Sequence, residues 1–174
     1  MRKVFLLLIF TIALSACKST STSTVVTKKT RTNTPITKRA PVDKETSRLT
    51  EAIIKNAKKY KGTRYKYGGT TRKGMDCSGL IYTAFKEEDI SMPRTTTTLA
   101  THGDWIDLKE VQEGDLLFFA TSKSSRKVNH VGIVTTSRLG KVEFIHSSTS
   151  RGVMISDLSE KYWYFAFVQA RRVL

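Results

Sequence analysis

The spacing of apolar residues changes once along this chain, near residue 115, and that change restricts the fold more than any other feature. Before it, LTEAIIKNAKKYKG (49–62) sets Leu49, Ala52, Ile53, Ala57 and Tyr60 near one helical face, with Gly62 as a stop signal. CSGLIYTAFKEE (77–88) repeats the helical spacing with Cys77, Leu80, Ile81, Ala84 and Phe85. Between them GTRYKYGGTTRKGMD reads as a Gly-rich loop. After the change, DLLFFA, HVGIVTT, KVEFIHS, GVMIS and WYFAFVQARRVL are short apolar or alternating runs divided by turn residues, the pattern of strands. Helices first and strands afterwards predict an α+β domain with the helices packed on an antiparallel sheet. Residues 49–174 suit one domain with its own core, and no internal repeat divides them.

What precedes this segment is of another kind. MRKVFLLLIFTIALSAC opens with Arg2 and Lys3 and continues with an apolar run from Val4 to Leu14. A bilayer-spanning helix needs about 20 apolar residues, so the run suits a signal-peptide core. Residues 1–16 are expected to be the signal. Leu14-Ser15-Ala16-Cys17 resembles the bacterial lipobox, which implies that Cys17 is diacylated and becomes the first mature residue; a plain secretory signal is the alternative. Residues 17–48 then form a tether rich in Ser and Thr, without aromatics and too sparse in apolar residues for a core. From Lys18 on it carries eight Lys or Arg against two acids, within a chain of net charge +15. Such charge favours anionic surfaces. No nucleic-acid motif and no alternation of basic with aromatic residues accompanies it, so lipid or cell-wall polymer is the expected partner.

The chain has two cysteines. With Cys17 under lipid, Cys77 is left as an odd thiol in an exported protein, either inert and buried or reactive. Its position argues for reactivity. Asp76 can cap the helix that Cys77 begins, and the helix terminus favours thiolate. Ser78 and Gly79 are small enough to admit a carbonyl, and the free backbone N–H groups there could hold an oxyanion.

A thiol nucleophile needs a base, and histidine suits that role near neutral pH. The chain has His102, His130 and His146. His130 opens HVGIVTT and His146 closes KVEFIH, with SRLGK able to turn the chain between them. A turn centred near Arg138 would set the two histidines directly opposite on neighbouring strands, about 5 Å apart at Cβ. Cys77 would then attack, His130 would shuttle the proton and His146 would orient His130. Zinc is the competing chemistry, but there is no CxxC or HxxxH pair to support it. His102, in the polar TLATHGDW, reads as a surface or structural residue.

GTRYKYGG, MDCSGL, MPRTT, EGDLLFF, NHVGIV, FIHSS and ARRVL occur in the order seen in the NlpC/P60 family of cell-wall cysteine peptidases, and the chain resembles that family over about residues 50–174. The resemblance implies a papain-like α+β fold, Cys77 as nucleophile, His130 as base and His146 as third polar residue. It adds Tyr65, whose hydroxyl would lie near the nucleophile and help an oxyanion hole with the helix terminus at Ser78. Arg64 departs from the proline common at that position. SH3-like and LysM wall-binding modules, frequent in the family, have no counterpart here, so targeting is expected to rest on anchor and tether.

Among members the chain is most similar to single-domain outer-membrane lipoproteins acting on murein. The implied activity is hydrolysis of an amide in peptidoglycan stem peptides, at the D-glutamyl–diaminopimelate or the diaminopimelate–D-alanine bond. The implied protein is a monomer without metal or organic cofactor, held by its lipid in the cell envelope. Lys18, where aspartate would signal inner-membrane retention, favours the outer membrane facing the periplasm. The rival from another class is a noncatalytic wall-binding lipoprotein; an amidase or acyltransferase on a nonmurein substrate is the enzymatic rival.

Overall fold

The computed structural model describes residues 43–122 and 124–174; the expected signal peptide, Cys17 and the tether up to residue 42 lie outside them. Helix α1 spans Lys44–Lys59 and buries Ile53, Ile54 and Ala57. It begins five residues before the apolar pattern does, so residues 44–48, which composition groups with the tether, are helical. Its first turn is polar and solvent-facing, with Glu45 at the end where the helix dipole favours an acid, and so gives no apolar periodicity to read.

The Gly-rich loop that follows is more ordered than its composition suggests. Two short strands, β1 (Thr70–Thr71) and β2 (Gly74–Met75), pair antiparallel within it. Helix α2 (Cys77–Lys86) buries Cys77, Leu80, Ile81, Ala84 and Phe85, the face that its spacing predicts. Buried Asn56 of α1 joins the two helices, its Nδ2 donating to the Ala84 carbonyl at 3.3 Å and to Glu88 Oε1 at 2.6 Å.

After a single helical turn, α3 (Thr96–Leu99), the chain builds a six-stranded antiparallel sheet. Its strands are β3 (Asp104–Ile106), β4 (Leu116–Phe119), β5 (His130–Arg138), β6 (Lys141–Ser148), β7 (Gly152–Asp157) and β8 (Phe167–Arg172). In space they run β3-β8-β4-β5-β6-β7. One difference from the sequence reading lies in WYFAFVQARRVL. Lys161–Ala166 is a short helix, α4, and the strand begins only at Phe167. Trp163 and Ala166, three residues apart, are its buried side chains, while Tyr162, Tyr164 and Phe165 face solvent, and an all-aromatic run conceals that helical spacing.

The sheet separates two cores. Leu116, Phe118, Val131, Ile133, Ile145 and Val153 pack against α1 and α2. Leu117, Phe119, Val134, Phe144 and Ala170 pack on the other face, with Trp163 and Ala166 of α4. The partition follows the two-residue alternation of each strand. A half-buried ion pair, Arg172 to Asp115 at 2.7 Å, ties β8 to the start of β4.

Gly79 lets α2 approach the Gly-rich loop. A Cβ there would overlap the carbonyl oxygen of Gly69 and stand 3.0 Å from Asp76 Oδ1. In an isolated helix, alanine in place of glycine stabilises by about 1 kcal/mol. Here we expect Gly79→Ala to destabilise, by roughly 1–3 kcal/mol as overpacking does, measured as a lower midpoint in urea denaturation; an unchanged or higher midpoint would show that the loop gives way freely.

Candidate active site

The terminus of α2 is organised around the Asp76 carboxylate. Its Oδ1 accepts from the backbone N–H of Gly79 at 2.6 Å and its Oδ2 from that of Gly68 at 2.7 Å. Arg94 donates to both oxygens, at 3.0 and 3.1 Å, and Ser78 Oγ donates to Oδ1 at 3.2 Å. Burial alone would raise the Asp76 carboxyl, but Arg94 and the N–H groups of Gly79 and Gly68 outweigh it and hold it below the ordinary value. The capping role expected of Asp76 is what the structure shows. With Gly79 N–H bound to Asp76, the N–H of Cys77 is left without an acceptor among the described residues.

Cys77 is a free thiol, 8% exposed. Its Sγ lies 3.6 Å from Thr96 Oγ1, and the backbone N–H groups of Val131 and Ser78 lie near enough to favour its charged form. The helix terminus therefore abuts β5 at the residue after His130. Position on the helix predicts a thiolate; burial decides otherwise. Desolvation is the largest influence and, with the negative charge of Asp76, pushes the thiol above its ordinary value despite Thr96, Val131 and Ser78.

The histidines meet, but in another register than expected. Leu139 and Gly140 form the β5–β6 turn, with Arg138 paired to Lys141 and Gly140 at φ 75°. Thr135 is then an extra residue on β5, since Val134 pairs with Phe144 and Thr136 with Glu143. Continuing from Ile133 opposite Ile145, Gly132 and not His130 stands opposite His146. The two histidines are thus diagonal neighbours on one face. His130 Nε2 lies 2.9 Å from His146 Nδ1. Gly132 leaves the room for this, because a Cβ there would stand 2.6 Å from the Phe144 ring and 3.2 Å from His146 Cβ.

The bulge at Thr135 is essential to that meeting. A one-residue slip moves every following side chain to the other face. Without Thr135 the hairpin register would put His146 opposite Ile133, and His130 would point away from it.

The pair sits in an aromatic enclosure. Trp163 stacks on His130 with ring centroids 5.4 Å apart and meets His146 edge-on at 4.6 Å. Phe119 and Phe144 close the remaining sides. Burial lowers the His130 imidazole to about 4. It also lowers His146 to about 3, helped by the positive charges of His130 and Arg151. At neutral pH both rings are neutral. His130 Nδ1 has no hydrogen-bond partner among the described residues and is not sealed from solvent.

Tyr65 is bridged to Met75, just ahead of Asp76 and Cys77. Its phenol is raised by burial and then by the negative charges of Cys77 and Asp76, so it lies within electrostatic reach of the sulfur. The Ser78 hydroxyl is engaged in the cap cluster, donating to Asp76 and accepting from Arg94 Nη1 at 2.7 Å. What Ser78 offers the thiol is its backbone N–H. His102 is exposed, away from these contacts. Sequence reasoning missed Arg94, Thr96 and Ser156, whose Oγ lies 3.1 Å from His146 Nε2. The first two belong to the noticed MPRTT run, and a lone serine inside the apolar β7 was the only local signal for the third.

Residues 62–172 match the NlpC/P60 family. The chain is 44% identical over 114 residues to the "Probable endopeptidase NlpC homolog" of Haemophilus influenzae, covering 65% of this chain and 57% of that protein. It is 40% identical over 116 residues to the "Murein DD-endopeptidase MepS/Murein LD-carboxypeptidase" of Escherichia coli K12, covering 66% and 58%. The match therefore spans little more than half the length of these relatives. In structure it resembles the crystal structure of an NlpC/P60 family protein from Bacillus cereus, with a TM-score of 0.65 and 31% identity over 72% of this chain and 40% of that one.

The depressed histidines make stability depend on pH. Unfolded imidazoles bind protons below 6.5, whereas the folded ones resist until about 4 and about 3. The unfolded state therefore gains protons first, and stability falls as pH drops from about 6.5 toward 4. The gap at His130 alone corresponds to about 3 kcal/mol. Asp76 acts in a separate window, because its lowered carboxyl loses its contribution only as pH falls through its folded value, below 3.8. We expect urea midpoints to fall between pH 7 and 4.5, and a His130→Gln/His146→Gln variant to lose much less over that range; equal losses would contradict burial of neutral imidazoles.

Proposed function

The chain belongs to the NlpC/P60 family, and on that premise we propose that it is a lipid-anchored cysteine peptidase that hydrolyses amide bonds in the stem peptides of peptidoglycan. The observation that carries this reading is the free thiol at a capped helix terminus, abutting the strand whose first residue, His130, is hydrogen-bonded to His146. The names of the relatives support the substrate class, and one of them is called a murein DD-endopeptidase. We favour the cross-link between stems, a bond from diaminopimelate to D-alanine, over the D-glutamyl–diaminopimelate bond within one stem. The anchor rests on the lipobox pattern ending at Cys17, in keeping with a place in the cell envelope, at the outer membrane.

The chemistry follows from the protonation states. At neutral pH the resting site holds a neutral thiol and a neutral imidazole, so thiolate forms during the reaction. His130 Nδ1 takes the Sγ proton as sulfur bonds to the amide carbon. The oxyanion meets the unpaired Cys77 N–H and the Tyr65 hydroxyl. The imidazolium gives its proton to the leaving amine, the C–N bond breaks, and a thioester remains on Cys77. Water, deprotonated by His130, then attacks the thioester and releases the carboxylate and the thiol. His146 stays neutral throughout and holds the His130 ring through Nε2.

Purified protein incubated with sacculi should release products whose masses identify the broken bond. Loss of cross-linked dimers would support the favoured bond, and cut monomeric stems the other. Cys77→Ala should abolish release and His130→Ala should reduce it at least 100-fold, in line with the usual weight of nucleophile and base. Wild-type turnover by Cys77→Ala would remove the nucleophile.

A further inference from the structure

We propose that Ser156 is a positioning residue of this reaction: its Oγ accepts the Nε2 proton of His146 and thereby allows both histidines the tautomer in which His130 Nδ1 carries the lone pair. The inference deepens the proposed function and rests on its assignment of Cys77 and His130.

Two hydrogen bonds join three side chains across neighbouring strands, His130 Nε2 to His146 Nδ1 at 2.9 Å and His146 Nε2 to Ser156 Oγ at 3.1 Å. Both are diagonal contacts in one direction, since Gly132 stands opposite His146 and Phe144 is paired with Ser156. His146 is fully buried and Ser156 is 3% exposed. A neutral imidazole has one donor nitrogen and one acceptor nitrogen, so the direction of either bond dictates the other.

Only two directions exist. In the first, His130 Nε2–H donates to His146 Nδ1 and His146 Nε2–H donates to Ser156. His130 Nδ1 is then free to accept the proton of Cys77. In the second, Ser156 donates to His146 Nε2, His146 Nδ1–H donates to His130 Nε2, and the His130 proton sits on Nδ1. The base is then blocked. The reaction needs the first direction, and Ser156 is the acceptor that makes it possible. Among the described residues His146 Nε2 has no other hydrogen-bond partner, being walled by Phe144 and Trp163.

The choice of a hydroxyl also fits the neutral pair. A carboxylate at this place would draw a proton onto His146 and make it a cation. The positive charge of Arg151 works against such a cation from the β6–β7 turn. Serine accepts a hydrogen bond without adding charge. The relay orients His130 and leaves proton transfer to His130 alone.

Removing the hydroxyl takes the first direction away. In Ser156→Ala, a buried Nε2–H on His146 would lack an acceptor, and an orphaned buried donor is among the least tolerated groups. His146 would move its proton to Nδ1, donate to His130 Nε2, and push the His130 proton onto Nδ1.

Three measurements on the purified protein, Ser156→Ala and Ser156→Thr test this. Long-range ¹⁵N–¹H correlation at neutral pH should show His130 and His146 as Nε2–H in the wild type and both as Nδ1–H in Ser156→Ala. Alkylation of Cys77 by iodoacetamide between pH 6 and 8 should slow at least tenfold in Ser156→Ala and recover to within about threefold in Ser156→Thr, a range set by tautomer loss in related relays. Sacculus cleavage should lose at least tenfold in kcat with KM within about twofold. A wild-type His130 protonated on Nδ1 would overturn the proposal even if Ser156→Ala fails to fold, and so would Ser156→Ala alkylating at the wild-type rate. A wild type that shows the expected tautomers and alkylation yet leaves sacculi uncut would sink the peptidase reading and leave the role of Ser156 in place.

Discussion

One carboxylate holds the site together. Asp76 receives two backbone N–H groups, a hydroxyl and a two-pronged guanidinium, and these come from the Gly-rich loop, the first turn of α2 and the segment before α3. Charge-assisted and bidentate bonds are the stronger kind. A buried carboxylate with every oxygen so engaged has little freedom to move. Its most important effect is indirect. By binding the Gly79 N–H it orients the helix terminus so that the Cys77 N–H stays unpaired among the described residues and the sulfur lies against β5.

Two opposing effects then act on the thiol and the histidines. The helix terminus favours thiolate, and burial disfavours any charge. Burial wins on both sides, since the thiol is raised and both imidazoles are lowered. The resting site is a neutral assembly. The aromatic enclosure that produces this neutrality also fixes the rings, with Trp163 stacked on one histidine and edge-on to the other.

Much of the fold is legible in the residue pattern itself. The buried face of α2, its Asp76 cap, the antiparallel sheet and strands β4 to β7 all follow from spacing and turn residues. Elements with no apolar period of their own were not legible. They are the polar start of α1, the two-residue strands in the Gly-rich loop, the strand at Trp105, and the helical turn hidden in KYWYFA. Arg94 and Ser156 belong to the same class, because each matters through a partner far along the chain or across a strand, and no local pattern marks it.

The sequence by itself determined the chemistry at hand: a thiol at a capped helix terminus, and two histidines on consecutive strands near enough to meet. Local propensities and periodicity decide such things, and they are written residue by residue. Whether the histidines do meet was decided by tertiary structure. It depends on the single extra residue at Thr135, on the missing side chain of Gly132, and on a turn at Leu139 and Gly140. Pairing register is a property of two strands and their neighbours together, and a slip of one residue exchanges the faces. The protonation states were decided there too, because burial is not a property of a residue but of what packs around it.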